Sequence, residues 1–247
     1  MVTMRLGSAL AAAGDLVLPR TCAGCGRSGV TVCTGCRGAL CELAVPSLGP
    51  LAPHPVPPDW PGCHATVRYA GVAARLVRAF KDEDRRDLVD VLARLLADAV
   101  RRAAQGGSGH RHGNSVLLVP VPSAPAAIRR RGDRPMLLLA DRAARLLGPG
   151  VVVEAGLGLR RGTADQAGLD RAARLANLDG SMTPRRPHRL RGKRIVLVDD
   201  VLTSGATLTE GRRALLGAGA SRVDLAVAMI TPRRSPTPGL PFRPCPD

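Results

Sequence analysis

The residues best equipped for chemistry lie between Ile195 and Leu208, which read I-V-L-V-D-D-V-L-T-S-G-A-T-L. Asp199 and Asp200 are adjacent carboxylates. When ionised they only accept hydrogen bonds, so they suit sugar hydroxyls or a metal-bound water. Thr203, Ser204, Gly205, Ala206 and Thr207 follow, a run of hydroxyls and small residues. Where such a run leads into a helix, its backbone N–H groups and hydroxyls meet the positive end of the helix dipole, and that suits a phosphate. A phosphate beside a diol is a ribose 5-phosphate. An incidental turn after a buried strand has no need of these hydroxyls.

These groups must be held by something rigid. Ile195–Val198 is apolar without alternation, which predicts a strand buried on both faces of a parallel sheet. The acids then fall at the carboxyl end of that strand, where open α/β sheets bind ligands. A helix is expected over about 208–217 and a further strand over Val223–Ile230. Upstream, Leu88, Val91, Leu92, Leu95, Leu96 and Ala99 keep helical spacing. Val116–Val121 reads as a buried strand, and Pro135 opens a helix to about Leu147. Val151–Glu154 reads as a strand, residues 105–114 as a flexible loop and 160–180 as a polar loop. Strands alternating with helices predict a parallel sheet of βαβ units. A GxxxxGK[ST] phosphate loop is absent, and Gly156 and Gly158 lack the third glycine of a dinucleotide fingerprint. Kinases and Rossmann dehydrogenases are therefore disfavoured.

A second constellation sits near the start. Cys22, Cys25, Cys33 and Cys36 form two C-x-x-C pairs. Four thiolates at this spacing match a structural Zn²⁺ with no open coordination position. Gly26 allows the tight turn of such a knuckle. Disulfides, a redox pair or an iron–sulfur cluster are the alternatives, and Cys41 is an alternative ligand. Cys63 and Cys245 read as plain cysteines, and His110 and His112 as solvated loop residues.

The chain has 247 residues and a net charge of +16, nearly all of it from arginine, since Lys81 and Lys193 are the only lysines. One reading is a footprint for nucleic acid or polyphosphate. The other is GC-rich coding, which raises Ala, Gly, Pro and Arg together. With aromatics at 2%, a stacking platform for single-stranded bases is lacking. No apolar run approaches the ~20 residues of a membrane span. Residues 4–18 resemble a signal peptide only faintly, because Asp15 interrupts them, and they read better as a short amphipathic helix. Zinc-type cysteines in turn suit a cytoplasmic protein. Four segments follow: residues 1–45 with the cysteine module, a proline-rich stiff extended linker at 46–62, an α/β body at 63–231, and a Pro/Arg tail at 232–247 expected to be disordered.

The stretch at 195–208 resembles the phosphoribosyl pyrophosphate (PRPP) signature of type I phosphoribosyltransferases, with every motif position matched. The resemblance implies that Asp199 and Asp200 hold the ribose 2′ and 3′ hydroxyls and that residues 203–207 wrap the 5-phosphate. Val121, Pro122 and Ser123, followed by Arg129, Arg130, Arg131 and Gly132, look like the pyrophosphate loop of the same family. Residues 160–180, with Arg160, Arg161, Gln166, Arg171, Arg174 and Asn177, correspond to its closing loop. The order of parts, cysteine knuckles, Tyr69-Ala-Gly71, Phe80-Lys81, V-P-V-P, R-G and V-D-D-V-x-T-[ST]-G-A-T, resembles the ComF (GntX-like) competence-associated proteins. In one place the chain departs: where the family has an aromatic residue and Asn-Gln after its Arg-Gly, this chain has Asp133-Arg134-Pro135.

The resemblance implies a type I phosphoribosyltransferase-like sheet flanked by helices, with an N-terminal zinc ribbon. It implies PRPP with Mg²⁺ as ligand, an unknown acceptor, and Lys81 and Arg131 as further pyrophosphate donors. It also brings a link to DNA uptake, with single-stranded DNA and a helicase-like competence partner. Three functions stay open: a transferase, a PRPP-responsive binding module without chemistry, and a single-stranded-DNA adaptor.

Overall fold

The structure, a computed structural model, describes residues 20–46, 49–105, 116–123, 128–129, 132, 134–160 and 180–231. The N-terminal helix, Arg130, Arg131, most of the polar loop, the glycine-rich loop, Cys245 and the tail lie outside the described residues.

The elements, in chain order, are α1 (Thr34–Glu42), β1 (His64–Arg68), α2 (Gly71–Asp82), a short 3₁₀ turn (Arg86–Leu88), α3 (Val89–Gln105), β2 (Val116–Pro120) and α4 (Pro135–Leu147). Then come β3 (Val151–Val153), β4 (Leu157–Leu159), β5 (Met182–Pro184), α5 (Pro187–Leu190), β6 (Arg194–Leu202), α6 (Ala206–Gly217) and β7 (Arg222–Ile230). Five strands form one parallel sheet in the order β1-β7-β6-β2-β3, and β4 and β5 form a separate antiparallel pair. This is the α/β parallel sheet with flanking helices that the alternation of patterns predicts.

Burial explains why the central strands lack alternation. Ile195, Val196, Leu197 and Val198 are all fully buried, because helices cover both faces. One layer is α3 with α4, whose apolar stripe supplies Leu92, Leu96, Val100 and Leu139. The other layer is α6 and the β4–β5 pair. Each such fully buried side chain contributes roughly 1.5–3 kcal/mol. With aromatics so few, these aliphatic contacts make up nearly the whole core, and among the described residues Phe80 is the one fully buried ring.

Two features of the fold place the site. First, β6 is longer than the apolar run Ile195–Val198 indicated. It pairs with β7 as far as Leu202↔Ile230, so both acids lie within the strand. Second, β2 is followed by α4 and leads outward to β3, whereas β6 is followed by α6 and leads the other way to β7. The chain thus reverses its winding between β6 and β2. A reversal of this kind leaves a crevice at the carboxyl ends of the two strands.

Candidate functional site

Asp199 and Asp200 sit at the end of β6, and the alternation of a strand sends their side chains to opposite faces. Leu197, two residues before Asp199, packs towards α6: a Cβ at Gly211 would lie 2.9 Å from Leu197 Cδ2. Asp199 shares that face, and its carboxylate accepts the Asp200 N–H at 2.9 Å. Asp200 is buried on the other side and pairs with Lys81 Nζ, from the last turn of α2.

Two of these groups, Asp199 and Lys81, are shifted by their surroundings. Burial, and then the charge of Asp200, pushes the Asp199 carboxyl up to about 8, while Lys81 acts in the opposite sense. Burial works against the charge on Lys81, but the two carboxylates outweigh it and hold its ammonium above the usual lysine range. The end of β6 is therefore a diacid with one internal cation and one carboxyl whose proton an incoming cation or hydrogen-bond donor would displace into solvent.

The phosphate-type loop follows at once. Gly205 is the N-cap of α6, with φ +79 and ψ −4, a left-handed conformation that glycine adopts without a side-chain clash. As a glycine, the N-cap offers no side chain to this helix, so beyond the Ala206 N–H the first turn presents N–H groups that suit an added acceptor. Ser204 Oγ accepts from Ala206 N at 3.5 Å, which folds the loop over itself. Thr203 is exposed, Ser204 and Thr207 are half-buried, and Gly205 and Ala206 are buried.

Across the crevice, Val121 N donates to Val198 O at 3.0 Å, carrying the β2–β6 pairing one residue past the strand. Val121 is buried and Pro122 and Ser123 half-buried. The segment named from sequence for a pyrophosphate thus runs beside the diacid on the neighbouring strand. Arg131, named with it, lies outside the described residues. Two other arginines do reach this place. A small pocket here is lined by Val121, Pro122, Ser123, Arg134, Leu157 and Arg185. Arg134 is the N-cap residue of α4, just before Pro135, so its position is readable from the proline. Arg185 carries no local signal. It comes from the end of β5 and lies across β4 at Gly158, where a Cβ would be 2.8 Å from its Nε. Nearby, Glu154 is matched by Arg186 and Arg189 instead.

The four cysteines converge as their spacing requires. The sulfurs of Cys22, Cys25, Cys33 and Cys36 all lie within 4.8 Å of one another, and Cys41 is not among them. Cys25 and Cys33 are 3.6 Å apart, close to the edge of about 3.8 Å in a tetrahedron with 2.3 Å metal–sulfur bonds. Cys33 N points to Cys22 Sγ at 3.3 Å, and Cys36 N to Cys33 Sγ at 3.5 Å. Burial raises the Cys22 thiol, but backbone N–H groups from Cys33, Gly24 and Cys25 outweigh it and bring it down to about 6. The Cys36 N–H lowers Cys33 in the same way, whereas burial and the neighbouring sulfurs push Cys36 up to about 12. The set fits a soft cation such as zinc, held by four thiolates. The module rests on α2: Arg75 Nε donates to Gly24 O at 2.6 Å, and Arg85, just beyond, donates to Thr21 O at 2.8 Å.

With this geometry in hand, known proteins supply the lineage. The family model described as the phosphoribosyl transferase domain matches residues 137–238. The DNA utilization protein YhgH of Salmonella typhimurium is 29% identical over 205 residues, 78% of this chain and 88% of the relative. That of Escherichia coli O157:H7 is 30% identical over 169 residues, 68% of this chain and 72% of the relative. Among solved structures, the allosteric regulatory enzyme of purine biosynthesis matches 57% of this chain and a quarter (25%) of its own, at 20% identity and a TM-score of 0.35. The domain match spans the diacid and the loop after it, and the YhgH match extends over most of both chains, so this chain belongs to the family of the DNA utilization protein YhgH and carries a phosphoribosyl transferase domain.

Proposed function

We propose that this chain binds PRPP in the crevice between β6 and β2 and transfers its phosphoribosyl group to an acceptor, releasing pyrophosphate. The observation that carries this reading is the junction at the end of β6: two carboxylates, a left-handed Gly205 and the uncapped start of α6 in direct succession. In this reading the N–H groups of the first turn of α6 and the hydroxyls of Thr203, Ser204 and Thr207 hold the 5-phosphate. Asp199 and Asp200 accept from the ribose hydroxyls. The backbone of Val121–Ser123, with Lys81 and Arg131, faces the pyrophosphate, and Arg134 and Arg185 add positive charge to the same side. Mg²⁺ bound to the donor would neutralise the leaving group. The bond from C1 to the pyrophosphate oxygen breaks, and a bond from C1 to the acceptor nucleophile forms. Lys81 must give up part of its contact with Asp200 when the sugar arrives, which couples sugar binding to placement of a cation near the leaving group.

Anchoring the remote phosphate fixes C1 against the nucleophile, and an adjacent carboxylate stabilises the positive charge that develops there. In the same proposal the four thiolates hold a structural zinc and the protein works in the cytoplasm, with residues 1–45 and 232–247 as appendages of the body at 63–231. The test is pyrophosphate release from PRPP across a panel of nucleobases and amines. Acceptor-dependent release that disappears in Asp199→Asn/Asp200→Asn supports transfer. Binding without release by any acceptor points to a PRPP-responsive module.

A second reading is favoured by the net charge of +16 and by relatives named for DNA utilization. In it the chain is an adaptor for single-stranded DNA, working with a helicase-like partner, and PRPP binding is secondary. Salt-dependent binding to single-stranded DNA separates the two.

A further inference from the structure

The proline-rich stretch before β1 closes into a loop. Leu51 and Cys63 exchange two backbone hydrogen bonds, of 2.7 and 2.8 Å. Inside this closure Trp60 Nε1 donates to Leu51 O at 2.9 Å. The two ends cross closely: Gly62 has φ +86, and a Cβ on it would lie 2.3 Å from Pro50 Cβ. Pro53 is buried, Cys63 fully so, and Trp60 half-buried, which is unusual company for residues in a connector.

Pro53 and Trp60 are packed against the phosphate loop. A Cβ on Gly205 would lie 2.9 Å from Pro53 Cγ and 3.0 and 3.2 Å from Trp60 Cζ3 and Cη2. Gly205 is also the residue whose left-handed conformation starts α6 without any side-chain cap. Its conformation is thus braced from outside, by a ring and an indole on the side where a side chain would be. The far end of the loop is near the sugar side as well. Cys63 is raised far above the usual thiol range, first by burial and then by the charge of Asp199, so the anchor of the loop lies within the field of the diacid.

We propose that residues 51–63 form a strap that positions the phosphate loop, with Trp60 and Pro53 as positioning residues that set affinity for a ribose 5-phosphate. The inference rests on the phosphate reading of residues 203–207 given above. Its physical basis is preorganisation: N–H groups that already converge bind an anion without first ordering the chain that carries them. Thr203, Ser204 and Gly205 form a short bend outside regular structure ahead of α6, and the strap supplies two rigid surfaces for it.

Trp60 is the only tryptophan in the chain, so the wild-type chain carries its own reporter. Titration with ribose 5-phosphate is expected to shift the tryptophan emission in step with binding measured by calorimetry. Trp60→Ala is expected to weaken ribose 5-phosphate by about tenfold or more, with Trp60→Phe restoring most of the affinity. Amide exchange in Trp60→Ala should quicken at Ser204–Thr207 while the β6 amides at 195–198 stay protected. Silent fluorescence at saturating ribose 5-phosphate would overturn the strap even if the alanine variant failed to fold. So would unchanged affinity in folded Trp60→Ala, or a loss that Trp60→Phe does not repair. A wild-type protein that binds no ribose 5-phosphate at all removes the phosphate reading itself, and the strap falls with it.

Discussion

The four-cysteine cluster and the crevice at the end of β6 are built on opposite plans. The cysteine cluster draws every donor from one stretch, Cys22 to Cys36, and leaves no gap in a tetrahedral set. The crevice is open, and its parts come from distant segments: Pro53 and Trp60, Lys81, Val121–Ser123, Arg134, Arg185 and the run from Asp199 to Thr207. A closed set made locally leaves room for an ion and nothing more. An open set made by tertiary folding can admit a ligand and exchange one contact for another, as the proposed function requires of Lys81 and Asp200. The two are joined through α2, which bears the cysteine module near its start, at Val72 and Arg75, and Lys81 near its end.

The sharpest test of that contrast removes one donor from the closed set. Cys33→Ser should release the metal and unfold residues 20–40, because structural zinc supplies on the order of 10–16 kcal/mol to a small module. The parallel sheet should keep its secondary structure, since its core is formed by β6, β7 and α3. Metal analysis and thiol titration check this: a wild-type protein without zinc and with four freely titrating thiols would end the zinc reading.

In the open set the matching change is Asp199→Asn with Asp200→Asn. Each charge-assisted hydrogen bond lost costs about 1.5–3 kcal/mol, so PRPP affinity should fall roughly a hundredfold or more while the fold survives. Calorimetry that returns wild-type affinity for the double variant would remove the site assignment.

A smaller effect follows from the Asp199 carboxyl, raised to about 8 in the folded chain. An ordinary aspartate titrates near 4, so between about pH 4 and 8 the folded state holds a proton that the unfolded state has lost. Its contribution to stability is therefore intact below pH 4, declines as pH rises and is fully spent above about 8. Thermal midpoints of Asp199→Asn should lack this decline. At pH 7, PRPP with Mg²⁺ should displace the proton, and calorimetry in buffers of different ionisation enthalpy should detect its release.

The smallest expected effect concerns charge. Single-stranded DNA should bind weakly and without sequence preference, with a log–log salt slope of about 0.7 per phosphate neutralised. PRPP should compete only in part, because the loop at 203–207 is too short to hold a polymer. Complete competition at low salt would place both ligands in one crevice. An absence of DNA binding at low salt would leave the small-molecule reading alone.

The sequence by itself determined whatever depends on neighbours along the chain. The unbroken apolar run at Ile195–Val198 marked a strand covered on both faces, and the observed burial is complete. Pro135 marked the first residue of α4, because proline suits that position and few others. Two C-x-x-C pairs were enough to bring four sulfurs together. Tertiary structure decided the rest, where partners far apart in the chain set the outcome. Pairing with β7 carries β6 on to Leu202 and so turns Asp199 and Asp200 to opposite faces, which their adjacency alone does not reveal. The three-residue strands β4 and β5 are too short to leave a pattern, yet they bring Arg185 to the pocket. Seven prolines made residues 46–62 read as a stiff extended linker, but the Leu51–Cys63 closure and the buried Pro53 bend residues 51–63 onto Gly205. Proline fixes φ locally but says nothing of where the chain turns back, and burial against a distant glycine is a property of the folded surface alone.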